Sequence, residues 1–96
     1  MDKDIKFPDR HARRESCIWF PVIVDGKFLD CTITDKFIDS YLREGSVASD
    51  EDIYMTNRDI INKLVEYKIK NDLFNKDGSI SIKDDYDADL LKILKT

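Results

Sequence analysis

The sequence predicts an α+β domain: a small antiparallel sheet built on a β-hairpin (about 16–24 and 27–34), with helices packed on one face. Three observations carry this. The dipeptide Asp25-Gly26 stands between two apolar runs that alternate with period two. Two longer stretches downstream space their apolar residues as helices do. The strand signals cluster before most of the helix signals, as in folds that segregate the two. The element order is β-β-β-α-α-β-α within a single domain, 1–96, since 96 residues leave no room for a second core of ordinary size.

Taken in order, Ile5-Lys6-Phe7 alternates as a short strand and Pro8-Asp9 ends it. Residues 9–15 are too polar for a buried element and read as a loop or one helical turn. Asp25-Gly26 is a strong hairpin signal, because a type I′ turn needs positive φ at both central positions. Thr34 is placed to cap a helix over about 35–43, with Phe37, Ile38, Tyr41 and Leu42 at helical spacing. Ser49, with Asp52 three residues on, opens a longer helix to about 72. Ile53, Ile60, Ile61, Leu64, Val65 and Tyr67 form its expected buried stripe, and Glu66/Lys70 and Asp59/Lys63 are (i, i+4) pairs. Asn75-Lys76-Asp77-Gly78 turns the chain into a strand, Ser79-Ile80-Ser81-Ile82. Asp84 or Asp85 then caps a C-terminal helical extension (84–96) with Tyr86, Leu90, Leu91, Ile93 and Leu94 on one side.

A two-residue turn sets the hairpin register. Val24 faces Lys27, Val22 faces Leu29, Phe20 faces Cys31 and Ile18 faces Ile33. One sheet face therefore carries Ile18, Phe20, Val22, Leu29, Cys31 and Ile33, all apolar, and this is the expected core. The other carries Cys17, Trp19, Pro21, Ile23, Phe28, Asp30, Thr32 and Thr34. The two cysteines fall on opposite faces, so neither a disulfide nor a shared metal site can join them. Pro21 has no N–H for a ladder, so the strand is unpaired or bulged there.

Trp19, Ile23 and Phe28 cluster on the second face and form the candidate interaction site. Three occupants are open: the C-terminal helix in cis, a homodimer or other protein partner, or a small ligand.

Composition excludes several functions. Hydrophobic residues are 42% and charged residues 38%, too balanced for a disordered or a membrane chain. The uncharged run Ser16–Val24 falls far short of the about 20 residues a transmembrane helix needs. Met1-Asp2-Lys3-Asp4 lacks the features of a signal peptide, so a cytoplasmic location is expected. The net charge of −4 argues against general nucleic-acid binding. Charge is uneven, however, and Arg10, Arg13 and Arg14 make a basic segment that could contact an anion. Three glycines, Gly26, Gly45 and Gly78, cannot build a phosphate-binding glycine motif. His11, the single histidine, reads as a surface residue rather than a catalyst. Leu73–Ile80 resembles part of a calcium-binding loop, but Leu73 stands where the first acidic ligand belongs, so it reads as a turn. No catalytic, cofactor or metal residue emerges.

The ordered set Phe7-Pro8, Ile18-x-Phe20, Val22-x-Val24-Asp25-Gly26, Cys31-x-Ile33, Asn57-Arg58-x-x-Ile61 and Gly78-x-Ile80-x-Ile82 resembles the bacterial family called domain of unknown function 1488. The resemblance covers about residues 5–82. Two departures are a long segment at 43–52 and the extension from 84. It implies an α+β fold with helices against a small sheet, and no activity to transfer. Arg58 would bond loop carbonyls or an acid such as Asp25, or else belong to a polar binding spot. The expected function is a non-enzymatic accessory or protein-interaction domain. The alternative is weak nucleic-acid or anion binding through Arg10–Arg14.

Overall fold

The hairpin forms the centre of the molecule. In the computed structural model, which describes residues 3–95, β3 (Cys17–Val24) pairs with β4 (Lys27–Thr34) in the expected register from Cys17↔Thr34 to Val24↔Lys27. Met1 and Asp2, from the charged start of the chain, and Thr96, the end of the extension, lie outside the described residues. Asp25 (φ 51°) and Gly26 (φ 84°) both take the positive φ the turn demands. Ile18, Phe20, Val22, Cys31 and Ile33 are all buried in the core.

The far edge of β3 pairs twice. β1 (Ile5–Lys6) lies antiparallel to Val24 and Ile23, and β2 (Ala12–Arg13) to Trp19 and Ile18. Residues 9–15 are thus not wholly loop. Side-chain propensity there is poor, but the backbone satisfies an edge of β3 that would otherwise lack partners. Between these two ladders lie Phe20–Val22, and Pro21 is the residue with nothing to donate.

The last strand corrects the wholly antiparallel sheet. β5 (Ile80–Ile82) pairs with β4 in parallel, Cys31 with Ile80 and Ile33 with Ile82, which makes the sheet mixed in the order β1/β2-β3-β4-β5. The connection from β4 passes through the helical layer, and such a crossover brings the chain back in its original direction. The fold class stays α+β.

Thr34 Oγ1 caps α1 (Asp35–Phe37), accepting from Phe37 N–H. The helix runs on into a π-helical segment, Ile38–Leu42, whose last bond runs from Arg43 N–H to the Ile38 carbonyl at 2.9 Å. Arg43 then organises the long 43–52 segment, donating to the carbonyls of Ser46 and Ala48 and pairing with Asp39 and Asp50.

Ser49 caps α2 (Asp50–Thr56), but the expected long helix is broken at Asn57. Asn57 sits at φ −105°, ψ 16°, and its side-chain amide donates to the Ile53 carbonyl at 2.8 Å. A separate α3 (Arg58–Lys70) starts after it. The break lets α2 lay Tyr54 on Phe20, ring centroids 5.3 Å apart, while α3 buries Ile61, Leu64, Val65 and Ile69. Tyr67, expected in that stripe, is exposed, and Lys68 is buried instead. The Glu66–Lys70 pair forms at 2.8 Å.

Asp84 heads α4 (Asp85–Lys95). Its carboxylate accepts from Asp87 N–H while the Asp87 carboxylate accepts from Asp84 N–H, a reciprocal capping box. Asp87 also meets Lys68 Nζ at 2.6 Å, and Lys68 donates to the Ser81 carbonyl. This buried pair locks α4 to α3 and β5.

Candidate functional site

All the helices lie on one side of the sheet. Tyr54 of α2, the α3 stripe, Ile38 and Leu42 of the π segment, and Ala88, Leu90 and Leu91 of α4 share one core with Ile18, Phe20 and Ile33. The C-terminal helix docks on α3, held by the Lys68–Asp87 pair and by Tyr41, whose hydroxyl donates to Asp85 at 2.6 Å. It does not cover Trp19 in cis. Its inward stripe carries Asp87, whose partner Lys68 lies on α3 in the helical layer.

Among the described residues, the second sheet face is therefore free of helices. Strand register arranges it in rows. Trp19 lies between Ala12 and Thr32, with Ser81 beyond; Pro21 lies beside Asp30; Ile23 lies between Lys6 and Phe28. Trp19 is half-buried. Its Nε1–H donates to Asp30 Oδ1 at 2.9 Å, and the Arg14 guanidinium stands over its ring 5.6 Å from the centroid. Asp30 thus fixes the orientation of the indole. Pro21 is buried beneath this group, Ile23 is half-buried, and Phe28 is 64% exposed. The structure brings Trp19, Ile23 and Phe28 onto one surface, with Phe28 its most exposed member. A shallow cleft of about 150 Å³ adjoins Phe28, lined also by Asp30, Asp77 and Ser79.

The three arginines do not converge. Arg13 makes a two-pronged ion pair with Asp35, Arg14 covers Trp19, and Arg10 has no side-chain partner among the described residues. His11 is engaged as well: its Nε2 lies 2.6 Å from Glu51 Oε2, and its ring is 5.4 Å from that of Tyr54. Arg58 bonds the loop carbonyl of Pro8 and the carboxylate of Asp9, not Asp25. Together His11 and Arg58 fasten the 7–11 arch to α2 and α3, joining parts of the chain 40 to 50 residues apart. Burial raises the Tyr54 phenol above its ordinary range, and the neighbouring Arg58 cation opposes that shift.

The thiols are separate, Cys17 half-buried and Cys31 fully buried on the core face. Burial, reinforced by Asp30, pushes the Cys31 thiol up to about 12, so it is inert as a nucleophile at neutral pH. In the 73–80 turn, Asp77 Oδ1 accepts from both the N–H and the hydroxyl of Ser79, and these bonds hold its carboxyl below the usual range. That oxygen is committed to the turn. Among the described residues no group of three or more His, Cys, Asp or Glu is arranged to hold a metal, and no helix is long and apolar enough to cross a membrane.

A polar concavity of about 250 Å³ lies between the π segment and the start of α4, lined by Lys36, Ser40, Tyr41, Lys83, Asp84 and Asp85. Its two lysines are offset by its two acids, both already bonded to the protein. The buried Lys68–Asp87 pair is the feature that sequence reasoning missed. Helical spacing from Ile61 and Leu64 places position 68 in the buried stripe, and a lysine there was the available signal of a buried acid partner.

No curated protein matches the chain. A crystal structure of a protein of unknown function of the DUF1488 family from Shewanella loihica PV-4 is similar in fold, with a TM-score of 0.69 and 22% identity over 85% of this chain and 94% of that one. The family model for protein of unknown function DUF1488 matches residues 5–82, from β1 to the end of β5, so the chain belongs to the DUF1488 family.

Proposed function

We propose that this protein is a non-enzymatic interaction domain of the bacterial cytoplasm that docks through the helix-free sheet face centred on Trp19, Ile23 and Phe28. The observation that supports this most is Phe28, a large apolar side chain left 64% exposed beside Ile23 on a sheet face that no helix covers. Sheet faces that meet only water carry polar residues at such positions. A patch of apolar side chains with a polar rim, here Lys6, Arg14, Asp30 and Thr32, has the anatomy of a docking surface. Catalysis finds less support. His11, Tyr54 and Arg58 are spent on holding the 7–11 arch, and the Cys31 thiol is sealed in the core.

The test is a photo-reactive phenylalanine analogue placed at position 28, with the same analogue at position 63 on the opposite, helical side as control. Irradiation in cells should give an adduct of defined mass from position 28 and none from 63. No adduct from position 28, or equal adducts from both, removes the docking reading.

A further inference from the structure

Charge on this face is sorted by side. The cations Lys6 and Arg14 border it along β1 and β2 and outnumber Asp4, which stands 3.9 Å from Lys6, whereas the acids Asp30 and Asp77 border it along β4 and the turn into β5. The apolar row Trp19, Ile23 and Phe28 runs between them. Such a face is complementary to itself under one symmetry operation. A two-fold axis parallel to the strands, lying in the interface, sets the β1/β2 side of one copy on the β4/β5 side of the other. Cations then meet acids on both flanks of a shared apolar centre. An axis across the strands would instead set the Lys6/Arg14 side against itself. Closed two-fold dimers use one self-complementary patch in this way.

We infer that the occupant of this face is a second copy of the same chain, packed sheet to sheet about an axis parallel to β3 and β4. The inference rests on the docking reading above and names its partner. Phe28 and Ile23 of each copy supply the dry centre, and Lys6 and Arg14 reach Asp30 and Asp77 of the other. Opposite charges at the rim set orientation and reject the alternative packing.

The charge arrangement makes a reciprocal test available. Lys6→Glu with Arg14→Glu makes both flanks acidic, and Asp30→Lys with Asp77→Asn, which keeps an amide oxygen to accept from Ser79, makes the opposite flank basic. Each variant alone repels itself, yet the acid-flanked and base-flanked chains complement each other on both sides. Light scattering from micromolar to millimolar chain should show the native protein moving from one-chain to two-chain mass. Each variant alone should dissociate about tenfold or more easily, and an equimolar mixture should recover the two-chain mass as a heterodimer in native mass spectrometry. Phe28→Asp, a surface change that leaves the core intact, should abolish the dimer.

A native protein of one-chain mass throughout overturns the inference, as does a dimer that survives Phe28→Asp or a mixture that stays monomeric. The position-28 cross-link separates the two readings. A one-chain mass with an adduct to a different protein removes self-association and leaves the docking face standing. A one-chain mass with no adduct removes both.

Discussion

Lys68 and Asp87 show how far a single residue can depart from its type. Both are buried, and the pair survives because every charge has a partner. Lys68 bonds the Ser81 carbonyl as well as the carboxylate, and Asp87 accepts from Lys83 N–H and Asp84 N–H as well as the ammonium. Removing one member strands the other charge in the core. Asp87→Ala should therefore cost about 3–5 kcal/mol in urea unfolding. Lys68→Met with Asp87→Leu should recover most of that loss, leaving about 1 kcal/mol for the broken capping box.

Cys31 makes a second residue-scale prediction. Its thiol rises from 9.0 to about 12 in the folded protein, so the fold favours the protonated form. That stabilisation is complete below pH 9 and is lost as pH climbs from 9 towards 12, with a slope of about 1.4 kcal/mol per pH unit. Tyr54, also raised, acts in the same direction. Cys31→Ala should flatten the alkaline slope of unfolding free energy in part. A thiol reagent should modify Cys17 in the native protein and Cys31 only after unfolding.

At the scale of elements, local chemistry was the readable part. Asp25-Gly26, Thr34 and Ser49 each act through neighbours three residues away or fewer, so turn type, register and two helix starts follow from short stretches. Gly26 has open space where a Cβ would sit, so Gly26→Ala should lose only the backbone preference, about 1–2 kcal/mol by thermal unfolding. What misled were elements set by distant partners. The polar 12–13 segment becomes β2 because β3 offers it an edge, not because Ala12-Arg13 favours a strand. The helix break at Asn57 is invisible in the periodicity, since apolar residues continue on both sides; it follows from Tyr54 having to reach Phe20 while Ile61 reaches the sheet.

At the scale of the whole molecule, two layers leave one sheet face without a helix. If that face serves docking, its residues carry little of the monomer's stability. Phe28→Asp should change unfolding free energy by no more than about 0.5 kcal/mol. Phe20→Ala, on the core side of the same hairpin, should cost about 3–5 kcal/mol. Equal losses in a calorimetric comparison of the two would mean that Phe28 is packed within the monomer.

The hairpin, its register, the opposed cysteines, the core face and the α+β class can all be read from the chain alone. Each of these depends on alternation and turn chemistry within about ten residues. The candidate face was legible for the same reason, since register alone puts Trp19, Ile23 and Phe28 together. What lies over that face depends instead on long-range packing. The site of α4 is set by Lys68 meeting Asp87 and by Tyr41 meeting Asp85, contacts between residues 19 and 44 positions apart. The parallel entry of β5 is likewise a result of where the crossover helices pack. Long-range pairings of this kind leave no periodic trace in the chain, because they depend on which surfaces remain once the local elements have formed.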